Sequence, residues 1–227
     1  MSSAELQPVL QVDNVRKHLG NKTLWNGASF EVRASEIVAL TGPSGSGKTT
    51  LLNCVGLLDS LGSGTVAVDG VDVQRASRRR RRLLLRHSIA FLFQFHGLVD
   101  DWSVDRNLRI AQAHQGLGRR QKRLARDEAL TSVGLATLSG QRAYTLSGGE
   151  AQRAALARLS LRQSSLLLVD EPTSALDEEN VRVVLEFLRA QAVRGAAVVV
   201  STHDPRVIEF ADRSVALDSP QRLSGSV

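Results

Sequence analysis

The sequence holds one cysteine, Cys54, so no internal disulfide can form, which fits a reducing cytoplasm. Aromatic residues make up only 4% of the chain. That leaves few rings to stack on unpaired bases and weighs against a nucleic-acid partner. No apolar run approaches the roughly 18–20 residues needed to cross a bilayer. The richest runs, residues 166–169 and 196–200, read instead as buried parallel strands. Residues 1–9 include Glu5 and have no apolar block behind a basic start, so they do not read as a secretion signal. Neither an internal repeat nor a low-complexity linker interrupts the chain. The expected address is cytosolic.

What is present is a chain of 227 residues, 42% hydrophobic, with net charge +6 carried mostly by arginine. This is enough for one large domain with a full core. The arginines cluster at 75–86 and 119–126. A basic surface attracts nucleic acid or anionic headgroups, but the plain reading of both clusters is a solvated helix face. Residues 9–15, 28–32 and 65–68 alternate or carry β-branched residues, and Asp69-Gly70 marks a turn. Residues 37–41 and 88–93 read as short strands, 105–162 as mainly helical with breaks at Gly116-Leu117-Gly118 and Gly134. Strands at 166–170 and 196–201 flank an amphipathic helix at 178–193. The alternation implies a parallel α/β sheet, with the helical stretch as an insertion.

Three motifs carry chemistry. Gly42-Pro43-Ser44-Gly45-Ser46-Gly47-Lys48-Thr49 fits the phosphate-binding pattern G-x-x-x-x-G-K-[ST]. Its glycines free backbone amides to cradle phosphate oxygens, and a helix opening near Thr50 adds its positive dipole end. Gly42, Ser44, Gly45, Ser46, Gly47, Lys48, Thr49 and Thr50 are therefore candidate ATP ligands. Lys48 is expected to neutralise the β/γ-phosphates, and the Thr49 hydroxyl to ligate Mg²⁺. Second, the run Leu166-Leu167-Leu168-Val169-Asp170-Glu171 carries Asp170 to the end of a buried strand to hold Mg²⁺ through water. Glu171 at its exit can orient or deprotonate an attacking water. Third, Leu146-Ser147-Gly148-Gly149-Glu150 opens a helix, where Ser147, Gly148 and Gly149 form a second anion nest. One ATP needs only one such nest, so the second points to another nucleotide.

This ordered set resembles the ATP-binding cassette family over residues 9–217. The resemblance implies one cassette domain over 1–227: a P-loop NTPase, RecA-like α/β core with an N-terminal antiparallel β-subdomain and a helical subdomain near 95–160. It implies an ATPase in which the Ser147–Gly149 nest of one copy closes on the γ-phosphate held by the other, making a homodimer. By the same resemblance Gln94 is the Q-loop glutamine that senses Mg²⁺ and water, and Ser174-Ala175-Leu176-Asp177 is the interface-crossing D-loop. His203 is the switch histidine on the γ-phosphate. Leu19 stands where many members place an adenine-stacking aromatic, and Ala151 where glutamine often follows the signature. No Asn-Lys-x-Asp guanine-reading motif occurs. The stretches around 56–59, 68–70 and 91–95 resemble the lipoprotein-release and macrolide-export branch, and residues 97–104 resemble cassettes of bacteriocin or peptide export. The implied partner is an integral membrane permease on a separate chain, docked at the cytoplasmic face near Gln94, with Trp102 as a candidate contact. The tail 218–227 leaves no regulatory domain in view. Export of a peptide, drug or lipid-linked cargo is the first functional reading, and a cell-division-type signalling ATPase that moves no substrate is the second.

Overall fold

The computed structural model describes residues 7–20, 22–93, 97–174 and 176–217. Gln94, Ala175 and the tail 218–227 lie outside the described residues. The chain opens with β1 (Leu10–Leu19), β2 (Lys22–Val32) and β3 (Ile37–Thr41), followed by α1 (Lys48–Val55), β4 (Ser63–Val68) and β5 (Val71–Asp72). Next come α2 (Arg78–Leu83), a π-helical turn at Leu84–Ser88 and β6 (Ile89–Leu92). A helical stretch holds α3 (Val104–Arg109), α4 (Arg119–Ser132) and α5 (Gly148–Ser160). The chain then returns through β7 (Leu166–Asp170), α6 (Glu178–Val193), β8 (Ala197–Ser201), α7 (Pro205–Phe210) and β9 (Arg213–Ala216).

The strands form an antiparallel sheet of order β2-β1-β4-β5 and a parallel sheet of order β6-β7-β8-β3-β9. β7 and β8 are buried at every position, as their unbroken apolar sequence demands for strands covered on both faces. β1 instead alternates buried and exposed over its first residues. β4 turns into β5 through Asp69 (φ 49) and Gly70 (φ 73), and Val68 pairs with Val71. That is a two-residue hairpin whose left-handed pair matches the twist of the strands.

Three apolar clusters hold these layers. One joins both sheets and α1, with Trp25, Leu51, Leu52 and Leu168 at its centre. A second lies on the other face of the parallel sheet beneath α5 and α6. The third gathers Val104, Leu108, Leu130 and Leu135 in the helical stretch. Helix α5 belongs to two clusters, contributing Ala155, Leu156 and Leu159 to the second and Ala154 and Ala157 to the third. Its small alanines let the helix be buried on both sides, and each fully buried leucine contributes about 2 kcal/mol.

The helical stretch also corrects one expectation. The arginine cluster at 119–126 is not wholly a solvated face, because Arg126 is only 7% exposed. Its guanidinium donates to Asp105 Oδ1 at 2.5 Å and to Gln112 Oε1 at 2.8 Å. Burial pushes the Asp105 carboxyl up, but hydrogen bonds from Arg126 and Arg109 outweigh it and hold the carboxyl below its usual range. The periodic pattern could not show this, since a buried guanidinium is tolerated only where a distant partner meets it. Nearby, the buried Asn107 fastens the loop before α3, accepting from Val99 N at 2.7 Å and donating to the carbonyls of Val99 and Ser103 at 3.1 and 3.2 Å. Trp102 is half-buried, its ring covered by the Arg106 guanidinium 4.0 Å from the centroid.

Candidate functional site

The carboxyl ends of β3, β7 and β8, neighbours in the parallel sheet, bring the chemistry-bearing residues together, as open α/β sheets place their ligands. Leaving β3, the chain bends through Gly42 (φ 144), Gly45 (φ 73) and Gly47 (φ 93), conformations that side chains resist. Gly47 is the N-cap of α1, whose first turn has neither a side-chain cap nor an acidic residue. Its amides therefore keep their pull on an anion. The Lys48 ammonium folds over the loop and donates to Gly42 O at 2.9 Å. Ser46 Oγ is buried with no hydrogen-bond partner among the described residues, an arrangement that costs on the order of 1–3 kcal/mol unless a ligand supplies one.

The antiparallel sheet shapes this loop from outside. Trp25, 1% exposed, directs Nε1 to Gly47 O at 3.4 Å. A Cβ on Gly47 would lie 2.6 Å from that nitrogen. Lys22 Nζ donates to Gly45 O at 2.9 Å, and Lys22 pairs with Leu19 across the β1–β2 hairpin. Leu19, 65% exposed, thus stands on the hairpin that touches the phosphate loop. Neither Lys22 nor Trp25 was singled out by sequence, because their contacts span more than twenty residues and follow no local pattern.

At the end of β7 the buried Asp170 receives two hydroxyls on Oδ1, Thr49 Oγ1 at 3.0 Å and Ser201 Oγ. Ser201 ends β8 and is a further residue that motif reading passed over. Glu171 follows with φ 45, a left-handed backbone rare for a residue with a side chain. It is held there by its N–H to Ser201 O at 3.0 Å, by Ser174 N donating to its carbonyl at 3.3 Å, and by His203 Nδ1, 3.0 Å from Oε1. Such backbone strain of about 1–3 kcal/mol persists where the surroundings over-determine it, and it clusters at functional sites. Glu171 is 14% exposed in its side chain and His203 75%, so the carboxylate is sheltered while the imidazole faces outward.

The donor set fits a small hard cation. The threonine hydroxyl and the buried carboxylate that it meets are oxygen donors of the kind Mg²⁺ selects, which keeps its remaining positions for water and phosphate.

A brace continues from this point. Thr173 Oγ1 donates to Asp204 Oδ2 at 2.9 Å, and Asp204 caps α7 and pairs with Arg206 at 2.6 Å. The Arg206 hydrogen bond, opposed by burial and helped by Thr173, holds the Asp204 carboxyl down at about 2. A carboxylate depressed in the folded state stabilises above its unfolded value of about 4 and loses that contribution as pH falls toward its folded value. Asp204→Asn is therefore expected to flatten the loss of stability between about pH 4 and pH 2, measured by urea unfolding across that range.

The second nest has its own support. Ser147 caps α5 in a reciprocal box, with Glu150 N donating to Ser147 Oγ at 3.3 Å and Ser147 N to Glu150 Oε2 at 2.8 Å. A Cβ on Gly149 would lie 2.7 Å from Asn180 Nδ2, so a larger residue here must displace the Asn180 amide. Asn180 is bound by Arg153 from α5 and donates to Asp177 Oδ1 at 2.9 Å. Its backbone hydrogen bond is the first cause that keeps the Asp177 carboxyl low. Gln152 Nε2 reaches Pro172 O at 3.1 Å. The nest helix is thus braced to Pro172 and, through Asn180, to Asp177. Among the described residues, no hydrogen bond or ion pair links this nest to the loop of residues 42–50.

Comparison with known proteins agrees with this geometry. Residues 25–174 match the family model described as ABC transporter. The lipoprotein-releasing system ATP-binding protein LolD of Novosphingobium aromaticivorans is 38% identical over 92% of this chain and 96% of its own length. The macrolide export ATP-binding/permease protein MacB of Escherichia coli K12 is 34% identical over 93% of this chain, which spans only 33% of MacB. Among solved structures, the dimeric post-hydrolysis state of the ATP-binding cassette MJ0796, bound to ADP and Pi, superposes with TM-score 0.83 at 28% identity over 92% of this chain and 94% of its own. No helix among the described residues is long and apolar enough to cross a membrane. With its phosphate loop, its strand-end carboxylates and its separate serine–glycine nest, this chain belongs to the ABC transporter family as one of its ATP-hydrolysing cassettes.

Proposed function

We propose that the chain works as a homodimer, two copies head to tail around two ATPs, and drives a permease carried on a separate chain at the cytoplasmic face of the membrane. One observation carries this reading. A single chain holds two anion nests, and only the loop of 42–49 has the carboxylates Asp170 and Glu171 beside it. A second copy supplies the missing half of each site. The MJ0796 cassette, dimeric with ADP and Pi bound, supports the same arrangement.

In this reading Lys48 and the loop amides hold the β/γ-phosphates, and Ser46 Oγ gains the partner it lacks. Thr49 and Asp170, with Gln94, would hold Mg²⁺, which when bound neutralises charge on the phosphate oxygens. Glu171 takes a proton from, or aligns, the water that attacks the γ-phosphorus, and its link to His203 fixes the carboxylate. His203, turned outward, meets the γ-phosphate, and the partner copy's nest covers it from the other side. Leu19 lies against the base, an apolar face without ring stacking. Loss of the γ-phosphate removes what joined the two copies, and they part. The helical stretch near 95–160 passes that movement to the permease. LolD is a lipoprotein-releasing cassette and MacB a macrolide exporter by name, which supports export of a lipid-linked, drug or peptide cargo.

The test is to tag the chain in its host, solubilise membranes gently and identify what co-purifies in equal amount. A polytopic membrane protein that stimulates ATP turnover is the expected result. A chain that stays without any membrane protein, at basal turnover only, would refute the coupling. A membrane partner with no transported cargo would leave the signalling reading in its place.

A further inference from the structure

Helix α2 is Arg-Arg-Arg-Arg-Arg-Leu, and none of its residues is buried. Short helices exist in folded proteins because one face packs; in this one all six residues are exposed, and burial begins only at Leu84 in the turn that follows. Arginines at 78, 79, 80, 81 and 82 also put like charges at i,i+3 and i,i+4, where they repel, and no acidic side chain lies in its first turn. Arg82 Nε donates within the helix to Arg78 O at 3.4 Å, and Arg81 reaches beyond it. Its guanidinium donates to Val73 O at 3.1 Å and Gln74 O at 2.9 Å. Among the described residues Arg78, Arg79, Arg80 and Arg82 form no ion pair. The helix is nonetheless held from both ends. Ser77 caps it, and the turn after it is pinned by Arg162, which donates to Leu85 O at 2.6 Å and Ile89 O at 3.0 Å.

Apolar side chains border this charge. Leu83 and Leu85 are 44% and 39% exposed, and Leu58 is 55% exposed. Leu58 and Arg81 line one cavity of ≈ 350 Å³ at the end of α1. No Phe, Trp or Tyr occurs between residues 69 and 90, so His87 is the one ring of that stretch on which a base could stack. A cluster of guanidiniums on a helix held at both ends, edged with leucines, suits a surface that is anionic and, just beneath, apolar. We infer that α2 is a membrane-contact platform that binds anionic phospholipid headgroups and seats the cassette on the leaflet independently of its permease. The inference rests on the proposed membrane location, and it adds a second, lipid-borne attachment to it.

The test uses the whole chain without permease, sedimented with vesicles of phosphatidylcholine plus phosphatidylglycerol, or of phosphatidylcholine alone. Binding is expected only to the mixed vesicles and to weaken with salt. The variant R78Q/R79Q/R80Q/R82Q, which leaves Arg81 in place, should lose about a hundredfold or more in partitioning. Its ATP turnover in solution should equal that of the native chain, showing that it is folded. Equal binding by the variant, equal binding to both vesicle types, or displacement of the vesicles by lower concentrations of a single-stranded oligonucleotide would each overturn the inference. Absence of ATP turnover from both proteins would count against the proposed function, while vesicle partitioning would still decide this one.

Discussion

Replacing Glu171 with glutamine is expected to lower ATP turnover by about a thousandfold, within the range a positioned general base contributes, while ATP binding stays near native. The amide keeps the size of the side chain and can still meet His203 Nδ1, now 3.0 Å from Oε1, but it cannot take a proton from water. With the γ-phosphate retained, the closed dimer should accumulate. Light scattering coupled to gel filtration should show a monomer without nucleotide and a dimer at saturating Mg-ATP. A protein that binds ATP yet stays monomeric would remove the head-to-tail cycle. Native turnover in this variant would remove Glu171 from the chemistry.

Gly47→Ala should damage both nucleotide binding and stability through a single methyl group. The added carbon would sit 2.6 Å from Trp25 Nε1 and 3.2 Å from Leu24 Cβ, in a residue with φ 93. Trp25 is fully packed between the sheets and has no room to retreat, so the loop must move instead. A shift there re-aims the amides that open α1, and ATP affinity is expected to fall by at least about a hundredfold, as misplacing a positioned group costs. The clash and the left-handed backbone together should destabilise the fold by about 1–3 kcal/mol. Titration calorimetry and urea unfolding check the two effects. Gly116→Ala, where a Cβ meets nothing within 4 Å, is the control.

Much of this arrangement was legible in the sequence because it is local. β3, β7 and α6 fall where apolar runs and helical period put them, since burial on both faces of a strand or one face of a helix writes itself into neighbouring residues. The phosphate loop was equally plain, because its glycines answer to backbone angles within the loop itself. Other features depend on partners far along the chain. β9 is a short edge strand with no run of its own, and it pairs with β3 across some 175 residues. Lys22, Trp25, Ser201 and Asn180 are ordinary residues in ordinary elements. Only folding places them on Gly45, Gly47, Asp170 and the Gly149 nest. Arg126 looked like its neighbours on α4 until Asp105 and Gln112 were seen to enclose it.

The contact between Trp25 and Gly47 has a spectroscopic consequence. The chain has two tryptophans, one sealed against the phosphate loop and the other beside Arg106 in the helical stretch. Their indoles therefore emit from different layers of the molecule. With Trp102 changed to phenylalanine, the remaining ultraviolet emission comes from the wall of the phosphate cradle alone. The cassette carries its own dye, placed against the loop that opens α1.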